Sequence, residues 1–395
     1  MSIGAASILP LAVPAPLALA PLLLALTAVA VIGAGLDHRA ALEALLPLRG
    51  TAMLFGLVLV WSLIGISWSI APERSLIMAL RLAGTTLCGF VLLGAALALD
   101  ERQRRSLERW LCIGTLLGTV LLGVEIASGL SLLKAVRGLL GDRAPIDVLL
   151  NRAATVLVLL QWPVAAILLR RRRRGPWLAG LWTAAALVLL AHLASASALL
   201  AALAGLATGA LAYFWPRFVG WAAAAGGAVA ILASPLAGIP LGVIERLAPH
   251  LKPSGVHRLV IWNFVGDQIA KHPFAGWGLD TARVIPGGEA TIAVMTREGM
   301  MQAQLLPLHP HNAALQWWLE LGLPGAVLGA GLVLLIVRAI LNAGWGRAET
   351  AAGLALFASG LLISMLSYGI WQFWWLAALW FAAAFAASVL AARAR

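Results

Sequence analysis

The longest polar stretch of the chain, residues 239–324, reads IPLGVIERLAPHLKPSGVHRLVIWNFVGDQIAKHPFAGWGLDTARVIPGGEATIAVMTREGMMQAQLLPLHPHNAALQWWLELGLP. Apolar runs with short polar breaks precede it and follow it. Five of the seven histidines lie within it: His250, His257, His272, His309 and His311. Since the sequence stays polar for long only here, we expect most of the chemistry in this stretch.

The rest of the chain has the composition of a membrane protein. Hydrophobic residues make up 62% and charged residues 11%, whereas a soluble domain carries about 25% charged residues. A membrane-spanning segment must satisfy its backbone polar groups internally, and the apolar runs lack the strict alternation of barrel strands. With about 20 apolar residues a span, the sequence predicts an all-α polytopic membrane bundle of about 12 transmembrane helices, with one long loop that carries short helices.

The first apolar run and the basic segments set the topology. Prolines at positions 10, 14, 16 and 21 interrupt that run, so a hairpin of two short helices is favoured over one long helix. The five-arginine run at 170–174 is typical of a cytoplasmic loop, and the charged segment 100–109 is interpreted as another. The long polar stretch then lies on the opposite, extracytoplasmic side.

Three domains follow from this division of the chain. An N-terminal transmembrane bundle is predicted for residues 1–239, an extracytoplasmic loop with the chemical motifs for 240–321, and C-terminal transmembrane helices for 322–395. The net charge of +12 is assigned mainly to short cytoplasmic loops. No basic-aromatic module appears, so nucleic acid is not expected as a partner.

Charged residues inside spans are candidates for function, since burying them in lipid is costly. Arg81 and Arg152 lie in predicted spans near the side of the long loop. Arg258 lies in the first turn of a predicted surface helix of that loop. Guanidinium groups at this depth suit a phosphate or pyrophosphate head group. Two carboxylates, Glu125 and Asp147, are at the same level, and internal ion pairing is the alternative for them.

A second group of candidates is the segment Leu308-His-Pro-His-Asn312, which leads directly into a predicted helix. A helix N-terminus favours anions, and a histidine placed there can act as a general base. Two histidines two residues apart could also bind a metal. However, no nearby carboxylate supplies the further ligands that a metal site needs, so we expect no metal and no cofactor.

The order of several motifs resembles the extracytoplasmic loop of the O-antigen ligase/polymerase superfamily: Arg258, Trp262, Lys271-His272-Pro273, Gly276-Trp277-Gly278, His311-Asn312, Glu320-Leu321-Gly322 and Gly325. Asn151-Arg152 at the head of a span, with Pro163 further along, resembles the middle span of that family. One departure is visible. Many members carry a Ser-Arg pair where residues 192–200 read HLASASALL here, without arginine.

The resemblance implies a GT-C-like membrane glycosyltransferase. It would be a multi-pass protein of the bacterial inner membrane, with its active site facing the periplasm. The donor would be a glycan on undecaprenyl diphosphate, and the acceptor of the ligase branch would be the lipid A–core of lipopolysaccharide. The implied reaction is metal-independent and inverting. Membrane lipids are the other expected partners, and a monomer is expected.

The same resemblance and the residue chemistry assign roles within the site. His311 is the predicted general base, and His309 is the alternative. Three arginines would hold the diphosphate: Arg258, Arg152 and Arg81. Supporting roles are expected for Asn312, Trp262 and Asn151.

Other functions remain open at this point. An O-antigen polymerase or a protein O-oligosaccharyltransferase of the same superfamily would differ in the acceptor, which no motif specifies. A lipid or solute transporter is the alternative from another class, since charged residues within spans suit transport as well. Transporters usually carry internal repeats, and no repeat between the two halves of this sequence is evident.

Overall fold

The computed structural model describes residues 1–33, 37–137, 150–171, 173–193 and 195–391. Eleven α-helices precede the long loop in these ranges: α1 (Ser2–Ala12), α2 (Leu19–Ile32), α3 (His38–Leu45), α4 (Arg49–Ile64), α5 (Pro72–Leu97), α6 (Glu101–Ala127), α7 (Ser131–Arg137), α8 (Asn151–Leu169), α9 (Gly175–Ala191), α10 (Ala196–Phe214) and α11 (Pro216–Leu232). The loop carries α12 (Leu241–Leu247), α13 (Pro253–Lys271) and two strands, β1 (Thr291–Thr296) and β2 (Gly299–Gln304). Three helices follow: α14 (Ala313–Leu341), α15 (Arg347–Leu366) and α16 (Phe373–Leu390).

The predicted all-α polytopic bundle is confirmed. Eight helical segments in the described residues are long and apolar enough to cross a membrane, and four shorter apolar helices accompany them. The shorter segments are Ser2–Ala12, Pro16–Ile32, Gly175–Ala191 and Pro216–Leu232. The surface helix predicted for residues 254–274 is present as α13.

The first apolar run is broken into α1 and α2, as the prolines predict. Pro16 opens the short turn that leads into α2, since proline has no N–H to continue the preceding helix. Gly4 of α1 packs against Leu26 of α2, so the two helices run antiparallel as a hairpin. Helix α1 rises only about 17 Å, less than the roughly 30 Å of a bilayer core.

The charged segment 100–109 forms helix and not a loop, so that prediction was wrong. The Asp100 side chain accepts the N–H of Gln103 at 2.7 Å, and the Gln103 side chain accepts the N–H of Asp100 at 3.0 Å. This reciprocal cap satisfies two of the free donors at a helix start. The polar residues therefore extend α6 beyond its apolar part.

Helix α8 is the centre of the bundle. Every residue from Ala153 to Ile167 is buried, as expected for a helix that is apolar on all sides. At its far end Arg170 donates to Glu108 at 2.7 Å and Glu349 at 3.0 Å, and its Nη2 donates to the Val389 carbonyl at 2.6 Å. This ion cluster ties the end of α8 to α6, α15 and α16.

A kink divides α14 into an outer and a membrane part. Gly322 has φ 63° and ψ −160°, a backbone conformation that glycine adopts without a steric penalty. The turn at 272–278 packs against the kink: Trp277 N–H donates to the Leu319 carbonyl at 2.8 Å, and Gly278 N–H donates to the Glu320 carbonyl at 3.0 Å. Carbonyl groups that lose their helical hydrogen bonds at the kink thereby accept hydrogen bonds from the turn.

Residues 279–306, which carried no clear signal in the sequence, contain the hairpin of β1 and β2. The strands pair antiparallel, with Thr291 opposite Gln304. Val294 and Ala303 are buried against Val256 and Val260 of α13. The hairpin therefore fixes the start of α13, where Arg258 lies. The two domain boundaries stay a prediction; the second boundary, at 321/322, falls beside the kink.

Candidate functional site

The histidines of the HPHN segment lie side by side at the start of α14. The ring centroids of His309 and His311 are 4.2 Å apart. Trp262 of α13 donates its indole N–H to the Pro310 carbonyl at 3.0 Å. The Asn312 side chain accepts the N–H of Leu315 at 3.2 Å and so caps α14. Both supporting residues therefore hold the backbone that carries the histidines.

Hydrogen bonds distinguish the two imidazole rings. Nδ1 of His311 lies 2.6 Å from the Ser367 carbonyl, which can only accept, so this nitrogen carries the proton. Nδ1 of His309 accepts the backbone N–H of His311 at 3.2 Å. Within the described part of the chain, Nε2 of His311 makes no hydrogen bond, so neutral His311 presents a basic nitrogen that is free to take a proton.

Burial keeps both rings neutral. Desolvation, with His311 and Arg283 nearby, lowers the pKa of His309 to about 3. Desolvation also lowers the pKa of His311, as do Arg258 and His257, while the hydrogen bond to Ser367 raises it. His311 has φ 53°, which is uncommon for a residue other than glycine. The histidine pair is thus held in a fixed, uncharged arrangement.

Two of the three predicted arginines act electrostatically on a tyrosine that the sequence did not single out. Arg152 and Arg258 both act electrostatically on the Tyr368 hydroxyl, and Arg258 acts on His311 as well. Burial raises the pKa of Tyr368 to about 12. Tyr368 is therefore a neutral phenol within electrostatic reach of two guanidinium groups.

Neither guanidinium group is neutralised by a carboxylate in the described residues. Arg152 stacks on the Trp374 ring, 5.5 Å from its centroid, and Arg258 makes no hydrogen bond or ion pair with any described residue. Desolvation lowers the pKa of Arg258, which still leaves it charged near neutral pH. A guanidinium without a carboxylate keeps its hydrogen-bond donors for an anion.

Arg81, like Arg152, lies beside the start of α16, but it does not lie beside Tyr368. Its guanidinium lies 5.5 Å from the Phe373 ring centroid, next in sequence to the ring that holds Arg152. Arg81 is also among the cations that act on Asp280. The start of α16 thus brings Arg81 and Arg152 to adjacent rings, while Arg258 approaches from α13.

Asn151 and the two candidate carboxylates differ in environment. The buried Oδ1 atom of Asn151 has no hydrogen-bond partner among the described residues. Glu125 is fully buried and accepts the N–H of Leu133 at 3.2 Å; it forms no ion pair within the described ranges. Asp147 lies outside the described residues.

The segment 367–372 between α15 and α16 completes the site and was missed in the sequence. It provides Ser367 for His311 and Tyr368 for the arginines. Gly369 packs against the His309 ring, and a Cβ atom there would lie 3.0 Å from it. The signal available in the sequence was a Ser-Tyr-Gly turn between two spans, which has no distinctive spacing.

Glu320 joins this segment to the rest of the site. It is fully buried, and its carboxylate accepts from the Gln316 side chain at 3.0 Å and the Trp371 indole at 2.7 Å. It also accepts the backbone N–H of Asp280. One carboxylate thus links α14, the 367–372 segment and the turn that follows Gly278.

Comparisons with known proteins agree on one family. Residues 179–330 match the family model described as O-Antigen ligase; this range includes Arg258 and both site histidines. A Rickettsia bellii protein named "Putative polysaccharide ligase" is 30% identical over 328 residues, covering 80% of this chain and 75% of that protein. A Rickettsia felis protein of the same name is 27% identical over 326 residues, with the same coverage. The chain therefore belongs to the O-antigen ligase superfamily, as a multi-pass membrane enzyme with an O-antigen ligase-type function on polysaccharide or lipid-linked substrates.

Proposed function

We propose that this enzyme transfers a glycan from undecaprenyl diphosphate to the lipid A–core of lipopolysaccharide, at the periplasmic face of the bacterial inner membrane. The observation that carries the proposal is that, within the described residues, Nε2 of His311 makes no hydrogen bond and Arg258, which acts electrostatically on His311, has no carboxylate partner. A base and cations for the leaving group are the two groups that sugar transfer from a diphosphate requires. The basic residues at the Arg170 end of the bundle support a cytoplasmic location for that end.

In the proposed reaction, the acceptor hydroxyl gives its proton to Nε2 of His311. Its oxygen attacks the anomeric carbon of the donor sugar, opposite the diphosphate, so the anomeric configuration is inverted. The bond from that carbon to the diphosphate oxygen breaks, and undecaprenyl diphosphate leaves with the electron pair. Arg258 and Arg152 stabilise the negative charge that develops on the leaving group.

His311 is the better candidate for the base than His309. The Nδ1 atom of His309 is already occupied by the backbone N–H of His311, so a neutral His309 carries its proton on Nε2. We therefore assign His309 to positioning His311. Arg81, beside Phe373, would contact the donor further from the tyrosine.

The test is glycan transfer from purified lipid-linked donor by the protein in nanodiscs. His311→Ala should lower the rate by about 10²–10⁴-fold, the usual contribution of a general base. His250→Ala, in the same loop but exposed, is the matched control and should keep the wild-type rate. Full activity of the His311 variant would refute its role.

Two further arms test the leaving-group chemistry and the acceptor. Because arginines would stabilise the diphosphate, activity should persist in EDTA; loss on chelation would refute the metal-free mechanism. Supplying lipid A–core and a second donor glycan as separate acceptors distinguishes a ligase from a polymerase. Consumption of the donor without transfer of its glycan to either acceptor would contradict both functions.

A further inference from the structure

An apolar groove opens on the lipid-facing side of the bundle, toward the Arg170 end. It lies between α6 and α9, with α8 behind it, and has a volume of about 500 Å³. Residues lining it include Leu116, Val120, Leu168, Leu181, Ala185 and Leu189. None of these residues belongs to the candidate site, which lies at the opposite end of α8.

The mouth of this groove is strongly basic. Arg171, Arg173 and Arg174 line an adjoining open cavity of about 620 Å³, and Leu178 lines both cavities. The three arginines are exposed, and their side chains form no hydrogen bond or ion pair within the described ranges. They differ in this from Arg170, whose guanidinium is held by two carboxylates.

The depth of the groove corresponds to one leaflet. Trp177, which precedes Leu178 in the first turn of α9, is 82% exposed, and an exposed tryptophan at the end of a span is typical of the head-group region. Leu178 and Leu189 are eleven positions apart on α9, which is about 17 Å along the helix. Half of a bilayer core is about 15 Å, so the groove has the length of a lipid tail from the arginine side.

We propose that this groove binds one anionic phospholipid from the leaflet on the arginine side. Its phosphate would lie among Arg171, Arg173 and Arg174, and one acyl chain would lie along α9. Basic pockets between transmembrane helices are a known form of site for anionic head groups. The head group of a zwitterionic lipid also carries a cation. The described residues that line the mouth include no carboxylate to bind this cation.

The test uses the full-length protein and native mass spectrometry after titration with phosphatidylglycerol or phosphatidylcholine. Wild-type protein should retain phosphatidylglycerol at a lower lipid fraction than phosphatidylcholine. In the triple variant R171Q/R173Q/R174Q, half-occupancy should need about tenfold more phosphatidylglycerol. The matched control R102Q/R217Q/R338Q removes the same charge from exposed arginines of the same side that have no side-chain partner within the described ranges, and it should bind as wild type.

A second variant tests the tail. Ala185→Trp fills the groove without changing any charge, and it faces lipid, so the fold should tolerate it. It should weaken phosphatidylglycerol retention by a similar factor. Equal retention of the two lipids, equal loss in the control variant, or unchanged binding in Ala185→Trp would each overturn the proposal. Full displacement by millimolar inorganic phosphate would identify a free-anion site and overturn it as well.

Discussion

Replacing Glu320 is the sharpest test of how the site is held together. Its carboxylate is an acceptor shared by four donors: the Gln316 side chain, the Trp371 indole and the backbone N–H groups of Asp280 and Ala282. Glu320→Ala removes a fully buried side chain and leaves all four donors without this acceptor. Glu320→Gln keeps the volume and one acceptor oxygen, but it turns an amide NH2 toward at least one donor.

The expected magnitudes follow from these bonds. A buried polar group that loses its partner costs about 1–3 kcal/mol. Four such donors, partly rescued by water, place the Glu320→Ala loss at about 3–5 kcal/mol, near the upper end for a single substitution. Glu320→Gln should lose about 1–3 kcal/mol, since fewer donors are left unpaired.

The assay is equilibrium unfolding in mixed micelles followed by circular dichroism, with transfer activity measured in parallel. Activity should fall in both variants, because Ser367 and Tyr368 belong to the segment that Trp371 anchors. Glu289→Ala, an exposed glutamate of the same loop, should change the free energy of unfolding by less than about 0.5 kcal/mol. A Glu320→Ala protein as stable and active as this control would refute the reasoning.

Three further predictions concern the kink, the far end of α8 and the pH dependence. Gly322→Ala should destabilise the protein by about 1–3 kcal/mol, because its Cβ would meet the Phe274 carbonyl; thermal unfolding measures this, and an unchanged midpoint would contradict it. Arg170→Gln should cost about 3–5 kcal/mol, since it removes the largely buried guanidinium that binds Glu108, Glu349 and the Val389 carbonyl; unfolding in mixed micelles is the readout, and a loss below about 1 kcal/mol would contradict the role of the ion cluster. Because the pKa of His311 is lowered from 6.5, its basic form persists as the pH falls, so the acid limb of kcat/KM should have its midpoint below pH 6.5; a midpoint above that value would exclude His311 as the titrating base.

The sequence predicted those parts of the fold that depend on composition. Apolar runs of sufficient length are helices in a membrane because no other local structure satisfies the backbone, and the prolines near position 16 marked the break between α1 and α2. The extent of α6 was not predictable from hydropathy, since the Asp100 cap permits charged residues to remain helical. The β-hairpin was missed because its strands are short and only partly buried.

The candidate site was predictable only in part, and for a physical reason. Arg152 was conspicuous because a charge inside a span is costly. Arg258 and His311 were conspicuous because they lie at predicted helix starts in the one long polar stretch. Ser367 contributes a backbone carbonyl, and Gly369 contributes the absence of a side chain. Neither property leaves a pattern in one sequence. Tyr368 became informative only when packing placed it within electrostatic reach of two guanidinium groups.

The buried helix α8 carries an arginine near each end, so the length of the helix fixes the distance between the two arginines. Arg152 and Arg170 are eighteen positions apart, about 27 Å along the axis. Three hydrogen bonds to α6, α15 and the end of α16 fix the Arg170 end of the helix. The depth of Arg152 is therefore set by its distance from that end of the bundle. The depth of a lipid-linked phosphate is instead set by the bilayer, whose thickness varies between membranes by a few ångströms. Under the proposed function, the match between helix length and bilayer thickness would tune how well the donor meets the enzyme, so acyl-chain length becomes a determinant of the transfer rate.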